Sequence, residues 1–366
     1  MSKVLIVFNH PAPYKVKLFN ELAKYIDLTV IFERDKASDR NKFFYEEKEY
    51  RFKQVKIKGL ALGRENIISN GIIKHLKKNH YDLIIMNGYS QFAEMKTIRY
   101  LIKRKIPYTL YINGGLIKPN ESSFKRKLKT KYISHASSYL SPDENSNKYL
   151  VYYGANKSLI YNYPYSTIYE SEILENPIDK ETKFELREEN KIHDEKVFVS
   201  CGQLIKRKNY LELIKKWKEV DPKYGLYVIG DGKEKLHLEK YIKENQIHNV
   251  HLLGYMKRKD LFAFYHLSDA FIFPSDEDIY GHVINEAMSQ GLPVISTPNV
   301  NASRKLIKDD YNGYIISSLE NDELIGTINK VVSNDLSLNA IKTAKENTLE
   351  KMVEAHLEIL KRILEK

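Results

Sequence analysis

The stretch from Phe271 to Ser296 limits what this chain can become more than any other. Phe271 to Phe273 is a short apolar run closed by Pro274. Ser275 to Tyr280 is polar and carries Asp276, Glu277 and Asp278 in succession. Val283, Ile284, Ala287 and Met288 then fall at helical spacing behind Gly281. Gly291 ends that pattern, and Pro293 to Ser296 begins another apolar run. The spacing predicts strand, loop, helix, turn, strand. Units of this kind build α/β domains around a parallel sheet.

The predicted helix start points to anion binding. The first N–H groups of a helix have no partner inside it, and the helix dipole adds partial positive charge there. A glycine lets a ligand come close to the backbone. Gly281, His282 and Val283 are therefore expected to aim amides at a phosphate. Asp278 and Glu286 flank the same point. Carboxylates are poor phosphate ligands but good acceptors for sugar hydroxyls. Amides for phosphate and acids for hydroxyls together suit a sugar nucleotide.

Ser275, Tyr280, Gly281, Glu286, Ala287, Met288, Gly291, Pro293 and Val294 stand in the order of a known signature. It resembles that of the retaining glycosyltransferases with two Rossmann-like domains (GT-B fold, family 4). One position departs: Asp278 stands where that family has its first Glu. The resemblance implies two Rossmann-like domains facing each other across a cleft, with a C-terminal helix crossing back to the first domain.

Length agrees, since 366 residues exceed what one core usually serves. The single cysteine, Cys201, excludes an intramolecular disulfide and fits a reducing compartment. The apolar run Val4 to Phe8 is too short for a signal peptide or a span, so a cytoplasmic protein is expected. Charge is uneven. Residues 1–165 carry 30 Lys+Arg against 14 Asp+Glu, and the remainder 29 against 34. A basic half suggests an anionic partner, either nucleic acid or an anionic membrane surface; the alternative is a general lysine bias on solvated faces.

Along the chain, Lys3 to Phe8 and Leu28 to Phe32 read as strands around a helix, and further strands are expected near 52–57, 82–87 and 107–112. The loop from Asn9 to Lys15 is similar to an Ala-Pro-Tyr-Arg segment of part of the family, with Lys15 at the Arg. The resemblance places His10, Tyr14 and Lys15 on the acceptor side, and Asn113 and Gly114 follow a strand towards the same edge. Residues 118–132 hold six basic residues and one acid, with Phe124, Leu128 and Tyr132 recurring at fours. That is either an amphipathic helix for an anionic membrane or a core-facing stripe with a solvated face.

Residues 166–195 are polar and poor in pattern, and read as the linker and domain entry between a first domain at 1–165 and a second at 196–346; residues 347–366 form the final helix. Gly202 to Asn209 resembles the family's Gly-Arg-x-x-x-x-Lys-Gly loop, whose Arg and Lys hold the donor's diphosphate. Lys208 matches, but Gln203 replaces the Arg, and Arg207 or Lys206 would have to compensate. Gly230 and the segment ending at Tyr255 resemble the family's next two loops on the donor side.

The expected function is that of a retaining glycosyltransferase using a nucleotide-diphosphate sugar, with a glycan or lipid-linked acceptor, in surface polysaccharide assembly. The resemblance puts Lys208 on the diphosphate, Glu286 on the ribose and Asp278 on the transferred sugar. No metal or other cofactor is expected. Two rivals remain from the sequence: a metal-dependent transferase, prompted by Asp276 and Asp278 in an Asp-x-Asp pattern, and a nucleic-acid binder using the basic half. A sugar-nucleotide epimerase of similar fold is a minor third.

Overall fold

The computed structural model describes residues 1–36, 49–62, 66–117, 120–319 and 322–365. The chain divides into two compact units, Met1–Tyr165 together with Glu350–Lys366, and Ser166–Leu349. The first unit carries β1 (Lys3–Phe8), β2 (Asp27–Phe32), β3 (Lys53–Lys56), β4 (Leu60–Leu62), β5 (Asn66–Ile68), β6 (Leu83–Asn87), β7 (Thr109–Tyr111), β8 (Ser138–Ser141) and β9 (Ile160–Asn162). Seven of these form one sheet in the order β3-β2-β1-β6-β7-β8-β9, parallel throughout. β4 and β5 pair as a separate antiparallel hairpin. In β1 and β2 every residue after the first is buried, which explains unbroken apolar runs rather than alternation.

The second unit carries β10 (Lys196–Cys201), β11 (Tyr224–Ile229), β12 (Val250–Gly254), β13 (Ala270–Phe273), β14 (Val294–Ser296) and β15 (Gly313–Ile315), in the order β12-β11-β10-β13-β14-β15. These strands are also parallel. In both sheets the chain leaves the first strand on one side and returns on the other, so each has one point where strand order reverses. In open α/β sheets ligands bind at that point, outside the carboxyl ends of the strands. It lies between β1 and β6 in the first unit and between β10 and β13 in the second.

Residues 166–195, expected as linker and domain entry, group with the second unit. Helix Lys180–Glu189 is tied there by Arg187, which donates to Asp269 at 2.6 Å and to the Leu267 carbonyl at 2.8 Å. A polar, pattern-poor segment is thus held by charge-assisted bonds, which leave no hydrophobic period to read.

The terminal helix Leu349–Leu364 buries Met352, Val353, His356, Ile359 and Leu360, a stripe at helical spacing. Within the first unit His356 packs edge-on to Tyr111 and close to Tyr163. Its Nδ1 donates to the Met352 carbonyl at 2.7 Å, so Nε2 accepts from the Tyr111 hydroxyl at 3.3 Å. Burial pushes His356 down to about 3, so the folded protein holds it neutral. The unfolded chain binds a proton there below the ordinary value of 6.5 and the folded chain does not. Stability from this group is therefore complete above pH 6.5 and is lost as pH falls towards 3. His356→Phe is expected to be less stable than the parent at pH 7.5, with the gap narrowing on acidification. Melting temperatures across pH 7.5 to 4 check this, and a gap that stays constant overturns it.

Candidate functional site

The site is built from the loops at the carboxyl edge of the second sheet. β10 runs into Gly202 and a 3-10 turn at Lys206–Lys208, and β13 runs into the acidic loop Ser275 to Tyr280. These two loops flank the point where strand order reverses, and they are laced together. The Arg207 carbonyl accepts from the Asp276 amide at 2.9 Å and the Ser275 hydroxyl at 3.2 Å. Asn209 Nδ2 donates to Asp276 Oδ1 at 2.8 Å. Arg207 Nη1 donates to the Glu277 carbonyl at 2.8 Å.

Lys208 and Asp278, 70 residues apart, meet here as a direct ion pair. Lys208 is buried, and its Nζ lies 4.3 Å from the Phe273 ring centroid. The Asp278 side chain is 19% exposed. Burial alone would raise the Asp278 carboxyl, but Lys208, the Tyr280 amide and Arg207 outweigh it and hold the group below its usual range. Arg207 Nη1 lies 4.0 Å from Asp278 Oδ2. Two cations therefore converge on one carboxylate, and no guanidinium comes from position 203.

The far side of the acidic loop is pinned as firmly. The Asp278 amide donates to the Asn299 carbonyl at 3.2 Å, Asn301 Nδ2 to the Ile279 carbonyl at 2.9 Å, and the Ala302 amide to the Tyr280 carbonyl at 2.8 Å. A loop held on both sides pre-orients its carboxylate, so little ordering remains to be done on binding. Helix His282–Ser289 starts directly behind it. Gly281 has φ 95°, and a Cβ there would lie 2.5 Å from Val300. Only glycine fits, because the left-handed backbone and the Val300 side chain leave no room for a Cβ.

Glycine also sets the next two loops. A Cβ on Gly230 would meet the Gly202 carbonyl at 1.9 Å. The Gly202 amide donates to the Ile229 carbonyl, and the Gly230 amide to the Gly254 carbonyl. The loops after β10, β11 and β12 thus stack backbone to backbone, carrying Gln203 and Tyr255 at the same edge. Tyr255 is 46% exposed.

Glu286 lies one turn into the helix and is not alone. Its Oε1 accepts from Arg258 Nη1 at 2.7 Å and from the Thr167 hydroxyl at 3.2 Å. Arg258 forks to Glu172 as well, at 2.9 and 3.3 Å. These partners escaped the sequence reading. Arg258 sits in a Lys-Arg-Lys run that looks like a solvated helix start, and Thr167 and Glu172 lie in the segment read as linker and domain entry.

In the first unit the expected acceptor-side residues separate. Asn113 Nδ2 donates to Asn87 Oδ1 at 3.1 Å, and the Tyr165 hydroxyl to Asn113 Oδ1 at 3.2 Å. Asn113 and Gly114 therefore stand at the carboxyl edge, as does His10, whose amide donates to Asn9 Oδ1. Tyr14 packs edge-on to Tyr165. Lys15 does not present itself to a ligand. It is fully buried, donates to the Tyr111 hydroxyl at 2.6 Å, and lies 4.3 and 4.4 Å from the ring centroids of Tyr111 and Tyr165. Burial holds it well below the usual lysine range. An aromatic cage replaces the solvent that an exposed lysine would use.

The basic segment is a helix at Ser123–Ile133, capped by Ser122; residues 118 and 119 lie outside the described residues. Its apolar residues divide. Tyr132 is buried in the core, Leu128 packs against that core, and Phe124 is exposed. No helix among the described residues is long and apolar enough to cross a membrane. Among them, no group of three or more His, Cys, Asp or Glu is placed to hold a metal ion.

Residues 182–348 match the family model of the glycosyl transferases group 1. The uncharacterized glycosyltransferase MJ1059 of Methanocaldococcus jannaschii is 35% identical over 127 residues, 34% of this chain and 31% of that protein. The lipopolysaccharide core biosynthesis glycosyltransferase LpsE of Rhizobium meliloti is 25% identical over 174 residues, 46% of this chain and 50% of that one. The chain thus spans about a third to a half of the length of these curated relatives. The crystal structure of Anabaena Alr3699/HepE in complex with UDP is similar at a TM-score of 0.81, with 18% identity, over 98% of this chain and all of that one. At that identity the likeness shows the fold, two Rossmann-like α/β units of the GT-B kind.

Proposed function

We propose that this chain is a glycosyltransferase that moves a sugar, with retention, from a nucleotide-diphosphate sugar to a glycan or lipid-linked acceptor in surface polysaccharide assembly. The observation that carries the reading is the Lys208–Asp278 pair at the strand-order reversal, in front of the helix that begins at His282. Lys208 and Arg207 supply cations for a diphosphate, the helix start supplies amides, and Asp278 supplies an acceptor for a sugar hydroxyl. Arg207 takes the part left by Gln203. The group 1 match over the second unit and the UDP complex of the Anabaena protein support this assignment.

The mechanism follows from what the residues can do. No side chain needs to attack the sugar. Lys208, Arg207 and the helix start stabilise negative charge as it develops on the leaving diphosphate, and that phosphate takes the acceptor's proton. Catalysis is then positioning and leaving-group stabilisation. A metal-dependent transferase finds no support, because Asp276 is taken by Asn209 and Asp278 by Lys208.

Thermal shift against a panel of nucleoside diphosphates and their sugars tests the reading, since a ligand that binds only the folded state raises the melting temperature by mass action. UDP is the first to try. A rise with at least one nucleotide, unchanged in EDTA, is expected; no rise across the panel sinks the proposal.

Glu286 is proposed to accept from the donor's ribose. Arg258 and Thr167 hold one of its oxygens and so fix its orientation. Glu286→Gln is expected to weaken nucleotide-diphosphate binding by about 1.5–3 kcal/mol, one charge-assisted bond, and to leave the fold intact, because Arg258 keeps Glu172. Equal calorimetric affinity in variant and parent would remove Glu286 from the ribose.

A further inference from the structure

The first unit has a second polar cluster at its own strand-order reversal. Glu33 follows β2, its amide donating to the Phe8 carbonyl at the end of β1, and Arg34 comes next, its amide donating to the Asn9 carbonyl. From the other side of the reversal, helix Phe92–Arg104 brings Glu94. Glu94 Oε2 accepts from the Ser90 and Gln91 amides at 2.9 and 3.0 Å. Glu33 and Glu94 are 4% and 1% exposed.

Among the described residues these groups are not fully satisfied. Glu33 Oε1 is buried and accepts no hydrogen bond, and Arg34 Nε and Nη1 are buried and donate none. Buried polar atoms are nearly always bonded, because leaving them otherwise costs stability. Among the described residues, an acid and a guanidinium neighbour each other with no hydrogen bond between them. A partner that both donates and accepts would satisfy them, and a hydroxyl does both.

We propose that Glu33 and Arg34, backed by Glu94, form a hydroxyl-recognition subsite for an uncharged sugar of the acceptor; this rests on the glycosyl-transfer reading above. Hydrogen bonding selects the ligand: Glu33 and Arg34 together offer a hydroxyl both an acceptor and a donor. Burial, with the neighbouring Glu94 carboxyl, pushes Glu33 well above the usual carboxylate range, against a smaller opposing effect of Arg34. Glu33 can then donate as well as accept, which widens its fit to a diol. Glu94 is a positioning residue: its amide lies against the Glu33 carboxyl, and its own carboxyl is spent on the helix start.

The test uses the full chain and saturation-transfer NMR with methyl glycosides of glucose, galactose, mannose and N-acetylglucosamine, with glucuronate and inorganic phosphate as charged controls. UDP binding and melting temperature are read on the same samples. The parent is expected to bind at least one neutral glycoside. Glu33→Met and Arg34→Met should each lose that signal at least tenfold, with the melting temperature unchanged or raised. Glu33→Gln, which keeps the shape and both kinds of hydrogen bond, should restore binding to within threefold. UDP affinity should stay within twofold throughout. The subsite is overturned if no neutral glycoside binds the parent, if only the charged controls bind, or if Glu33→Met and Arg34→Met lower the melting temperature while glycoside binding persists. Failure of UDP to bind the parent would instead strike the glycosyl-transfer reading itself.

Discussion

Lys208→Ala is expected to remove detectable turnover and to destabilise the second unit by about 3–5 kcal/mol at neutral pH, the usual cost of stranding one partner of a buried ion pair. The Lys208 side chain is 7% exposed and that of Asp278 19%, so water cannot replace the lost ammonium. Turnover falls because the cation nearest the proposed diphosphate is gone. The destabilisation carries its own signature in pH. In the parent, Asp278 titrates below its ordinary value, so its contribution is full above the unfolded carboxylate range and is lost as pH falls through the folded value. In the variant, burial is opposed only by Arg207 and the Tyr280 amide, and Asp278 should titrate above its ordinary value. That contribution then has the opposite sign: the variant is penalised as pH rises. The stability gap between parent and variant should therefore shrink from pH 7.5 to pH 4. Trp217 is the chain's single tryptophan, buried in the core of the second unit, so its fluorescence in urea reports that unit. A gap independent of pH would mean that the pair does not hold Asp278 ionised.

Sequence periodicity carried the architecture far, and local chemistry placed the loops of the candidate site in the second unit. Buried parallel strands are written as short apolar runs, and the loops after β10 and β13 have their glycines, acids and lysine in fixed order. Those features are local, so one sequence suffices to place them. What escaped depends on distant partners. Lys15 reads from sequence as the end of a loop, where exposure is the ordinary fate of a lysine, but it lies in the first turn of helix Pro13–Leu22. Its burial needs Tyr111, 96 residues away, and Tyr165, which no local pattern announces. Arg258 meets Glu286 across 28 residues and Glu172 across 86. Glu33 follows β2 and Glu94 lies in the helix after β6, elements far apart in the chain that the sheet order brings to one edge. The basic helix stayed open for a related reason: the same stripe of Phe124, Leu128 and Tyr132 reads as membrane-facing or core-facing until the packing divides it.

Asp278→Asn is expected to lower turnover at least 100-fold, about 2.7 kcal/mol of transition-state stabilisation, while leaving affinity for nucleotide diphosphate unchanged or tighter. This position is where the chain departs from the signature it resembles, since Asp is one methylene shorter than the usual Glu. Shortening would withdraw the carboxylate from a sugar hydroxyl, but the acidic loop is bonded on one side to the 207–209 turn and on the other to Asn299, Asn301 and Ala302. A fixed loop cannot drift to compensate, so the sugar itself must present a hydroxyl at the shorter reach. Asparagine keeps the size and removes the charge. Its loss weakens the contact to the sugar and frees Lys208 from its present partner, and Lys208 is then more available to a diphosphate. Turnover and nucleotide affinity should therefore move apart, which a general loss of structure would not do. Glu277 is the control. Its side chain is exposed, and its part in the loop is played by its backbone carbonyl, which accepts from Arg207 Nη1 and the Ser275 hydroxyl. Glu277→Gln leaves that carbonyl in place and should stay within threefold of the parent. Turnover with the true donor, beside UDP affinity, distinguishes the two acids. A crippled Glu277→Gln with a near-normal Asp278→Asn would mean that the sugar is met by the exposed acid and that the Lys208–Asp278 pair serves only to hold the loop.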